Sequence, residues 1–240
     1  LFANLLPMGK KDAVERLAAL KAKTAEMGGA QRVDRQHGRG KLDARQRLAL
    51  LFDPGSVQEL GMLASAEGRL PEEEDPGRPT AADGVITAFG AIEGRPVAAA
   101  LYDFTVLGGS IGEVGERKVT RLRDLALKNR TPFVWLVDSG GARLEAGGEV
   151  DPRRLAGFAD TGYLFREQSV LSGVVPQVSA MMGPGAAGTA YIPGLADYVP
   201  MVKDIGSIAV GGPALVKSTV GEDVTEQQLG PGSEPTLRDL

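Results

Sequence analysis

Residues 133–143 read Phe-Val-Trp-Leu-Val-Asp-Ser-Gly-Gly-Ala-Arg. The first five are bulky, apolar and partly β-branched, which is typical of a strand buried on both faces. Asp138 and Ser139 end this run. Gly140 and Gly141 follow, and because they lack a Cβ, their backbone can approach a ligand closely. Two backbone N–H groups directed at one oxygen form an oxyanion hole, which stabilises an enolate or tetrahedral anion. The alternative interpretation is a tight turn that needs glycine for a positive φ.

The composition excludes several classes of protein. The chain has 240 residues, enough for one large domain or two small ones, and a net charge of −4, which argues against nucleic-acid binding. It has no cysteine, so disulfides, thiolate metal sites and cysteine nucleophiles are excluded, and with a single histidine no metal site is expected. No apolar run approaches the roughly 20 residues of a membrane span. These features predict a cytoplasmic protein without a membrane segment.

The rest of the chain alternates strands with helices, and several strands end at glycine turns. Strands are predicted at 57–63, 83–89, 96–102, 133–137, 174–182, 197–202 and 207–210. Glu93-Gly94 is the predicted turn of a hairpin. Helices are predicted at 10–27, from 42 onwards with Asp43 as N-cap, at 111–129, and in part of 152–173. In the helix at 111–129, Arg117, Lys118, Arg121 and Arg123 are expected to face outward. The pattern indicates an α/β domain with its site at the strand ends.

The sequence predicts that the chain divides into three segments. Residues 1–55 are predicted to form an N-terminal helical segment, 56–230 the α/β domain, and 231–240 a tail or linker. Residues 67–80 are rich in Glu, Pro and Gly and predict an exposed loop.

Between Arg32 and Arg45 lies a polar, basic stretch next to a helix start, which favours anions. We expect it to contact phosphates, and a solvated charged face is the alternative.

Two alternative kinds of site were considered, a dinucleotide-binding site and a Ser-His-Asp catalytic triad. Residues 183–188, Gly-Pro-Gly-Ala-Ala-Gly, match the G-x-G-x-x-G pattern of dinucleotide sites, and Asp204 lies at a suitable distance for a ribose contact. The match falls late in the chain, however, and leaves the turn after Ser139 without a role. A Ser-His-Asp triad would have to recruit His37, which stands in a basic, polar stretch. A site built from backbone amides therefore explains the sequence better.

A set of collinear motifs resembles one family. They are Arg35-Gln36-His37, Gly40-Lys41-Leu42, Ala44-Arg45, Arg47-Leu48, Asp83-Gly84-Val85-Ile86-Thr87, Asp103-Phe104-Thr105-Val106, Gly108-Gly109-Ser110, Asp138-Ser139-Gly140-Gly141-Ala142-Arg143, Met182-Gly183-Pro184 and Gly221-Glu222-Asp223-Val224-Thr225. This order resembles the carboxyltransferase β subunits of biotin-dependent acyl-CoA carboxylases, of the propionyl-CoA and acetyl-CoA carboxylase type. The resemblance covers nearly the whole chain and corresponds to the N-terminal half of that family.

The resemblance implies a crotonase-like fold of repeated ββα units. It implies transfer of a carboxyl group from carboxybiotin, carried on a carrier protein, to the α-carbon of an acyl-CoA. It assigns the enolate oxygen to the backbone amides near Gly141 and Ala142 and near Ala187 and Gly188, where the family usually has a Gly-Gly pair. The ureido nitrogen of biotin would take the α-proton, so no protein base is required. For CoA itself we expect contacts from Arg35, Lys41, Arg45, Gly140, Gly183 and Gly185.

The family's members have two crotonase-like halves, and this chain matches the first. We therefore expect a second crotonase-like carboxyltransferase half, a biotin carboxylase or biotin carrier subunit, and an oligomer. The second half would be a separate chain or one removed by truncation; alternatively, the protein no longer carries out complete transfer. One rival is another crotonase-type acyl-CoA enzyme, a hydratase or decarboxylase that uses Glu145 or Glu149 as acid or base. The other is a non-catalytic CoA-binding subunit.

Overall fold

A six-stranded sheet forms the centre of the molecule. The computed structural model describes residues 9–66, 68–73, 75, 77–143 and 164–230. Within this part of the chain the strands lie side by side in chain order. They are β1 (Gln58–Leu60), β2 (Val85–Ile92), β3 (Arg95–Tyr102), β4 (Phe133–Ser139), β5 (Gln177–Ala186) and β6 (Ser207–Ala209). Strands β1 to β3 pair antiparallel, whereas β3 to β6 pair parallel, so the carboxyl ends of β3 to β6 share one edge.

Helices precede the sheet, connect some of its strands and follow β6. They are α1 (Lys10–Ala25), α2 (Ala30–His37), α3 (Ala44–Leu51), α4 (Glu113–Asn129), α5 (Leu164–Leu171), α6 (Tyr191–Gly194), α7 (Pro213–Val220) and α8 (Glu226–Leu229). Short 3-10 turns lie at Ala82–Gly84, Leu107–Gly109 and Ala187–Ala190. The two antiparallel strands β2 and β3 followed by α4 form a ββα unit. The predicted α/β class is therefore confirmed.

Both faces of the sheet are covered, and β3 shows how. Ala98, Ala100 and Tyr102 pack with residues of α4 and with Phe133 and Trp135 of β4 in one buried cluster. The alternate residues of β3 belong to a second cluster on the other face, with α3 and Phe52. Side chains alternate between the faces of a strand, so a strand between two layers must be apolar at every position. This confirms the predicted burial of β3 and β4.

Two local predictions are confirmed in detail. Asp43 is the N-cap of α3: its Oδ1 accepts from the Gln46 N–H at 2.8 Å, and the Asp43 N–H donates to the Gln46 side chain at 3.1 Å. The hairpin between β2 and β3 turns at Glu93 and Gly94, both with positive φ, as a two-residue hairpin loop requires. The Asp53 carboxylate accepts from both turn N–H groups, at 3.0 and 2.8 Å.

Other predictions were wrong. Strand β5 does not end at Met182 but continues to Ala186, because β6 pairs with residues 184–186 and extends the ladder through the glycines. Residues 197–202 form no strand; Tyr198 and Met201 make isolated bridges to β5 instead. Helix α2 lies inside the polar, basic stretch, where no separate helix was predicted. The sequence showed no apolar stripe there because α2 buries a single residue, Gln36.

Arg123 was expected on the outer face of α4, and this too was wrong. Its side chain is 0% exposed, because α5 packs on that face of α4. The guanidinium lies between the carboxylates of Glu116 and Glu167 and 5.7 Å from the centre of the Trp135 ring. Burial raises the pKa of both carboxyls, and Arg123 opposes that rise.

The predicted tail at 231–240 and the first part of the predicted helix at 152–173 lie outside the described residues. The boundary at residue 55 stays a prediction. What the structure shows is that α3 and Phe52 share a buried cluster with the sheet. No described helix combines the length and the apolar character needed to cross a membrane. Within the described ranges, no three His, Asp or Glu side chains gather in a way that could hold a metal ion.

Candidate active site

The turn that follows β4 lies directly against the end of β5. A Cβ on Gly141 would stand 2.6 Å from the Ala186 carbonyl oxygen and 3.2 Å from the Ala187 Cβ. Gly141 also has a φ of +97°, so both its neighbours and its conformation require glycine. The cause lies in the sheet, where Ser139 pairs with Gly185 across β4 and β5. The structure therefore brings together the two segments that were predicted to supply amides.

The backbone bonding of the first turn leaves the Ala142 N–H directed away from Ile111, with which Ala142 forms an isolated parallel bridge. Ile111 donates its N–H to the Gly141 carbonyl at 2.8 Å, and Arg143 donates its N–H to the Ile111 carbonyl at 3.0 Å. In such a parallel bridge the residue between the two bonds points its own N–H to the opposite side. The Gly141 N–H, in contrast, donates to Ser139 Oγ at 3.2 Å. Ala142 is thus the better placed of the two predicted donors.

The second turn offers the N–H groups of Ala187 and Gly188. Both belong to the 3-10 turn Ala187–Ala190, and the first N–H groups of a helical turn have no partner within it. Both residues are partly exposed. Ala187 has a φ of +48°, in the left-handed region that residues with a Cβ rarely adopt. Two backbone turns that meet in this way can direct N–H groups at a developing oxyanion.

A buried ionic cluster lies behind the first turn. Asp138 is fully buried; its Oδ1 accepts from Lys41 Nζ at 2.6 Å, and its Oδ2 accepts from Arg47 Nη1 and Gln36 Nε2, each at 2.9 Å. Burial lowers the pKa of Lys41, while the neighbouring Asp138 carboxylate opposes that fall. The sequence analysis missed this cluster, because nothing in the local pattern links residues about 100 positions apart.

The glycines assigned to CoA serve different purposes. A Cβ on Gly183 would overlap the Asp138 carboxylate and come within 2.7 Å of Lys41 Nζ, so this glycine makes room for the cluster. Gly185 is buried next to Met181. Gly140 is exposed, and its N–H donates to the Gly108 carbonyl at 2.9 Å. Of the three, only Gly140 lies at the surface, and the assignment of all three to CoA stays a prediction.

Beside this turn lies a cleft of about 300 Å³. We call it the arginine cleft; it is lined by Arg32, Arg35, Gln36, Arg39, Pro79, Phe104, Thr105, Leu107 and Gly108. Arg32 donates to the carbonyls of Gly28 and Gly77 and, like Arg35 and Arg39, has no carboxylate partner among the described residues. The cleft therefore presents three positive charges that no carboxylate of the described residues pairs with. Gly108 connects it to the first turn through its bond with Gly140.

Two of the three predicted CoA cations face carboxylates instead of this cleft. Lys41 pairs with Asp138, as described above, and Arg45 forms two hydrogen bonds with Glu59, at 2.8 and 3.2 Å. Arg35 is exposed in the arginine cleft. Helix α2 separates these roles, because it carries the cleft residues Arg32 and Arg35 while its Gln36 points inward to Asp138; Arg39 follows the end of the helix. A phosphate would thus be met by Arg32, Arg35 and Arg39.

The competing chemistries find little support in the geometry. The G-x-G-x-x-G segment is mostly strand and leads into a 3-10 turn and the four-residue α6, which is too short for the helix that a dinucleotide site needs at that point. His37 accepts or donates a hydrogen bond at 2.9 Å with Asp43, which caps α3. It contacts no serine within the described residues. Glu145 and Glu149 lie outside those residues.

Comparison with known proteins gives a consistent result. A model of the carboxyl transferase domain matches residues 35–236. The propionyl-CoA carboxylase beta chain of Roseobacter denitrificans is 42% identical over 228 residues, which cover 95% of this chain and 43% of that protein. The methylmalonyl-CoA decarboxylase subunit alpha of Veillonella parvula is 42% identical over 223 residues, which cover 92% of this chain and 42% of that protein. The chain thus spans less than half the length of these relatives.

A solved structure shows the same fold. Transcarboxylase 12S, described as a hexamer assembly with methylmalonyl-coenzyme A and methylmalonic acid bound, superposes with a TM-score of 0.80 and 40% identity, covering 94% of this chain and 42% of that one. The predicted crotonase-like fold is confirmed by this match. Since the domain model and the similarity both extend over most of the sequence, this chain belongs to the carboxyl transferase domain family.

Proposed function

We propose that this chain is the acyl-CoA-binding half of a carboxyltransferase. The complete enzyme would move a carboxyl group from carboxybiotin to the α-carbon of an acyl-CoA such as propionyl-CoA or acetyl-CoA. The observation that carries this proposal is the contact between the turn at Gly141 and the turn at Ala187. Loss of the α-proton places negative charge on the thioester oxygen, and the Ala142, Ala187 and Gly188 amides are the donors that would stabilise it. Relatives named for acyl-CoA carboxylation and methylmalonyl-CoA support the substrate class.

The arginine cleft is the proposed place for the phosphates of CoA. Three guanidinium groups that pair with no carboxylate in the described part of the chain suit the charge of the phosphates. Phe104 and Leu107 add an apolar surface on the same cleft. Because Gly108 bonds to Gly140, a ligand held by the arginines can extend toward the amides of the first turn. The chain's own residues would thus bind and orient the acyl-CoA and hold the enolate oxygen.

Carboxybiotin supplies the carboxyl group when bound, and its ureido oxygen also needs hydrogen-bond donors. Within the described residues a further glycine pair occurs at Gly211-Gly212, where Gly212 caps α7 and Pro213 is its first residue. Proline has no N–H, so this helix start lacks one donor and does not fit that role. We therefore assign the biotin to a second crotonase-like half with a biotin carrier subunit, in an oligomer.

The relative from Veillonella parvula favours a second candidate, an acyl-CoA decarboxylase component. Carboxylation and decarboxylation pass through the same enolate, so the same amides serve both. The test combines the chain with a second carboxyltransferase half and biotin carrier. Carboxylation of propionyl-CoA that requires carboxybiotin supports the first function. Release of CO2 from methylmalonyl-CoA without biotin, and no carboxylation, would replace it with the second.

A third outcome concerns binding alone. If the assembled protein binds propionyl-CoA but turns over neither substrate, both enzymatic proposals fail. The chain would then be a CoA-binding subunit without a reaction of its own. Binding measured by calorimetry beside both activity assays separates these results.

A further inference from the structure

We propose that Arg143 is a positioning residue that fixes the Ala142 amide through a clamp formed with Asp83 and Ser110. This inference rests on the proposed oxyanion role of that amide. Arg143 directly follows Ala142, and its backbone N–H is already bonded to Ile111 at 3.0 Å. The side chain therefore determines how one end of the first turn is held.

All three guanidinium nitrogens of Arg143 form hydrogen bonds with two neighbouring segments. Nε donates to Ser110 Oγ at 3.0 Å, and Nη2 donates to the Ser110 carbonyl at 2.8 Å. Nη1 forms an ion pair with Asp83 Oδ1, and Nη2 lies 3.3 Å from the Asp83 carbonyl. A planar guanidinium that contacts a carboxylate, a hydroxyl and two carbonyls has a fixed orientation. With these contacts made inside the protein, Arg143 acts on the substrate only through the turn.

Asp83 is itself held rigidly. It adopts a φ of +52° in the 3-10 turn before β2, and its side chain is 0% exposed. Its second carboxylate oxygen accepts from the Gly115 N–H at 2.6 Å, in the first turn of α4. A Cβ on Gly112 would overlap the Arg143 guanidinium, so glycine there leaves space for the clamp. Asp83 thus joins the start of β2, the start of α4 and the end of the candidate oxyanion turn.

The other end of the same turn has its own anchor. Ser139 Oγ donates to the Gly109 carbonyl at 2.6 Å and accepts from the Gly141 N–H. Ser139 and Arg143 therefore hold the turn at both ends, and Ala142 lies between them. When a hydrogen-bond donor is misplaced by about 1 Å, the reaction rate falls on the order of 100-fold. Loss of the Arg143 clamp should have an effect of that size while leaving the arginine cleft intact.

The test uses the full chain assembled with the second half and the biotin carrier. For Arg143→Gln we expect kcat for carboxylation to fall about 100-fold, with KM for the acyl-CoA changed by less than about twofold. Asp83→Asn should give a similar loss, and the double variant should fall little further, because both changes break one clamp. Ser110→Ala removes one contact of the clamp, together with the hydrogen bond that the Ser110 hydroxyl donates to the Leu107 carbonyl, and keeps the ion pair. A loss of about three- to tenfold is therefore expected.

A matched control is Glu59→Gln, which breaks the partly buried ion pair with Arg45 away from the turn. Glu59→Gln should lower the unfolding midpoint about as much as Arg143→Gln does, while kcat changes less than about twofold. Unchanged kcat in Arg143→Gln would overturn the inference. A fall in kcat/KM that comes only from a higher KM would overturn it too. Additive losses in the double variant would overturn it as well.

Hydrogen exchange separates this inference from the proposed function. We expect the Ala142 amide of the unassembled chain to exchange at least about tenfold faster in Arg143→Gln than in the wild type, because the turn loses an anchor. If the wild-type assembly carboxylates nothing, the proposed function fails, yet the exchange rates still decide whether Arg143 positions the turn. Equal exchange rates in the two proteins would contradict the clamp.

Discussion

At the residue scale, Ala187 carries a conformational cost at the candidate oxyanion site. Its φ of +48° costs a residue with a Cβ about 1 to 2 kcal/mol. Glycine adopts this conformation freely, although it loses more entropy on folding. We expect Ala187→Gly to raise the free energy of unfolding by about 0.5 to 1 kcal/mol in urea titrations. The neighbouring Ala186 has a φ of −110°, so Ala186→Gly should destabilise the protein. Destabilisation by both changes would show that Ala187 is not strained.

Asp103 gives the protein a pH-dependent stability. Burial raises its pKa from 3.8 to about 6, although hydrogen bonds from the Thr105 N–H and Oγ oppose the rise. The folded state therefore binds this proton more tightly than the unfolded state. The stabilisation is complete below pH 3.8 and is lost as the pH rises through about 6. At about 1.4 kcal/mol per pKa unit, the loss is on the order of 3 kcal/mol.

We expect Asp103→Asn to flatten the decline in stability between pH 4 and pH 7. Urea unfolding at several pH values measures this, with Asp12→Asn, an exposed carboxylate on α1, as the control. The control should keep the slope of the wild type. A slope in Asp103→Asn equal to that of the wild type would show that another group carries the pH dependence.

At the scale of elements, α2 and α3 are tied to β4 through Asp138, which faces two buried cations. Asp138→Asn leaves both cations without a counter-charge, and we expect it to lower the free energy of unfolding by about 4 kcal/mol. Lys41→Met should cost less than about half of that, since Arg47 still neutralises Asp138. Adding Lys41→Met to Asp138→Asn should restore part of the stability, because it removes one of the unpaired charges.

Urea unfolding of the four proteins measures this cycle. The exposed ion pair between Arg16 and Glu72 provides the control, and Glu72→Gln should change stability by less than about 1 kcal/mol. Equal losses in Asp138→Asn and Lys41→Met, or additive losses in the double variant, would mean that the cluster is not organised around Asp138.

The cleft formed by α2 is a second feature at this scale. We expect Arg35→Glu combined with Arg39→Glu to weaken propionyl-CoA binding by about 100-fold at low salt, and by less at high salt, because salt screens exposed charges. Calorimetry at two ionic strengths measures the effect. Arg117→Glu, on the exposed side of α4, is the control and should leave binding unchanged. Equal affinity in the double variant would place the phosphates elsewhere.

At the scale of the whole molecule, the proposed reaction needs two binding surfaces, one for each reactant. The reacting carbon and the carboxyl group must come within about 3 to 3.5 Å of each other, which requires the second reactant to be held as well. The described turns serve the acyl-CoA alone in our proposal. We expect this chain to bind propionyl-CoA by itself and to carboxylate it only after the second crotonase-like half and the biotin carrier are added. Full turnover by the isolated chain with free carboxybiotin would contradict this division.

The sequence by itself determined the features that depend on neighbouring residues. The apolar runs of β3 and β4, the Glu93-Gly94 hairpin and the Asp43 cap follow from local pattern and turn chemistry. The motifs around Gly141 and Gly183 were enough to indicate the family. In the structure, Gly141 lies against the backbone of Ala186 and Gly183 lies against the side chains of Asp138 and Lys41, so neither position has room for a Cβ. The resemblance to that family placed candidate amides on two separate turns.

Only the tertiary structure decided which side chains face one another. Lys41, Arg123 and Arg143 all carry charge that the sequence alone would assign to solvent or to a ligand. The fold instead buries Lys41 and Arg123, and half-buries Arg143, beside carboxylates that are distant along the chain or lie on a packed helix. A buried cation is stable only when its partner is in place, and partners brought together by strand pairing and helix packing leave no local pattern. The arginine cleft likewise exists because α2 turns Gln36 inward and leaves its arginines outside.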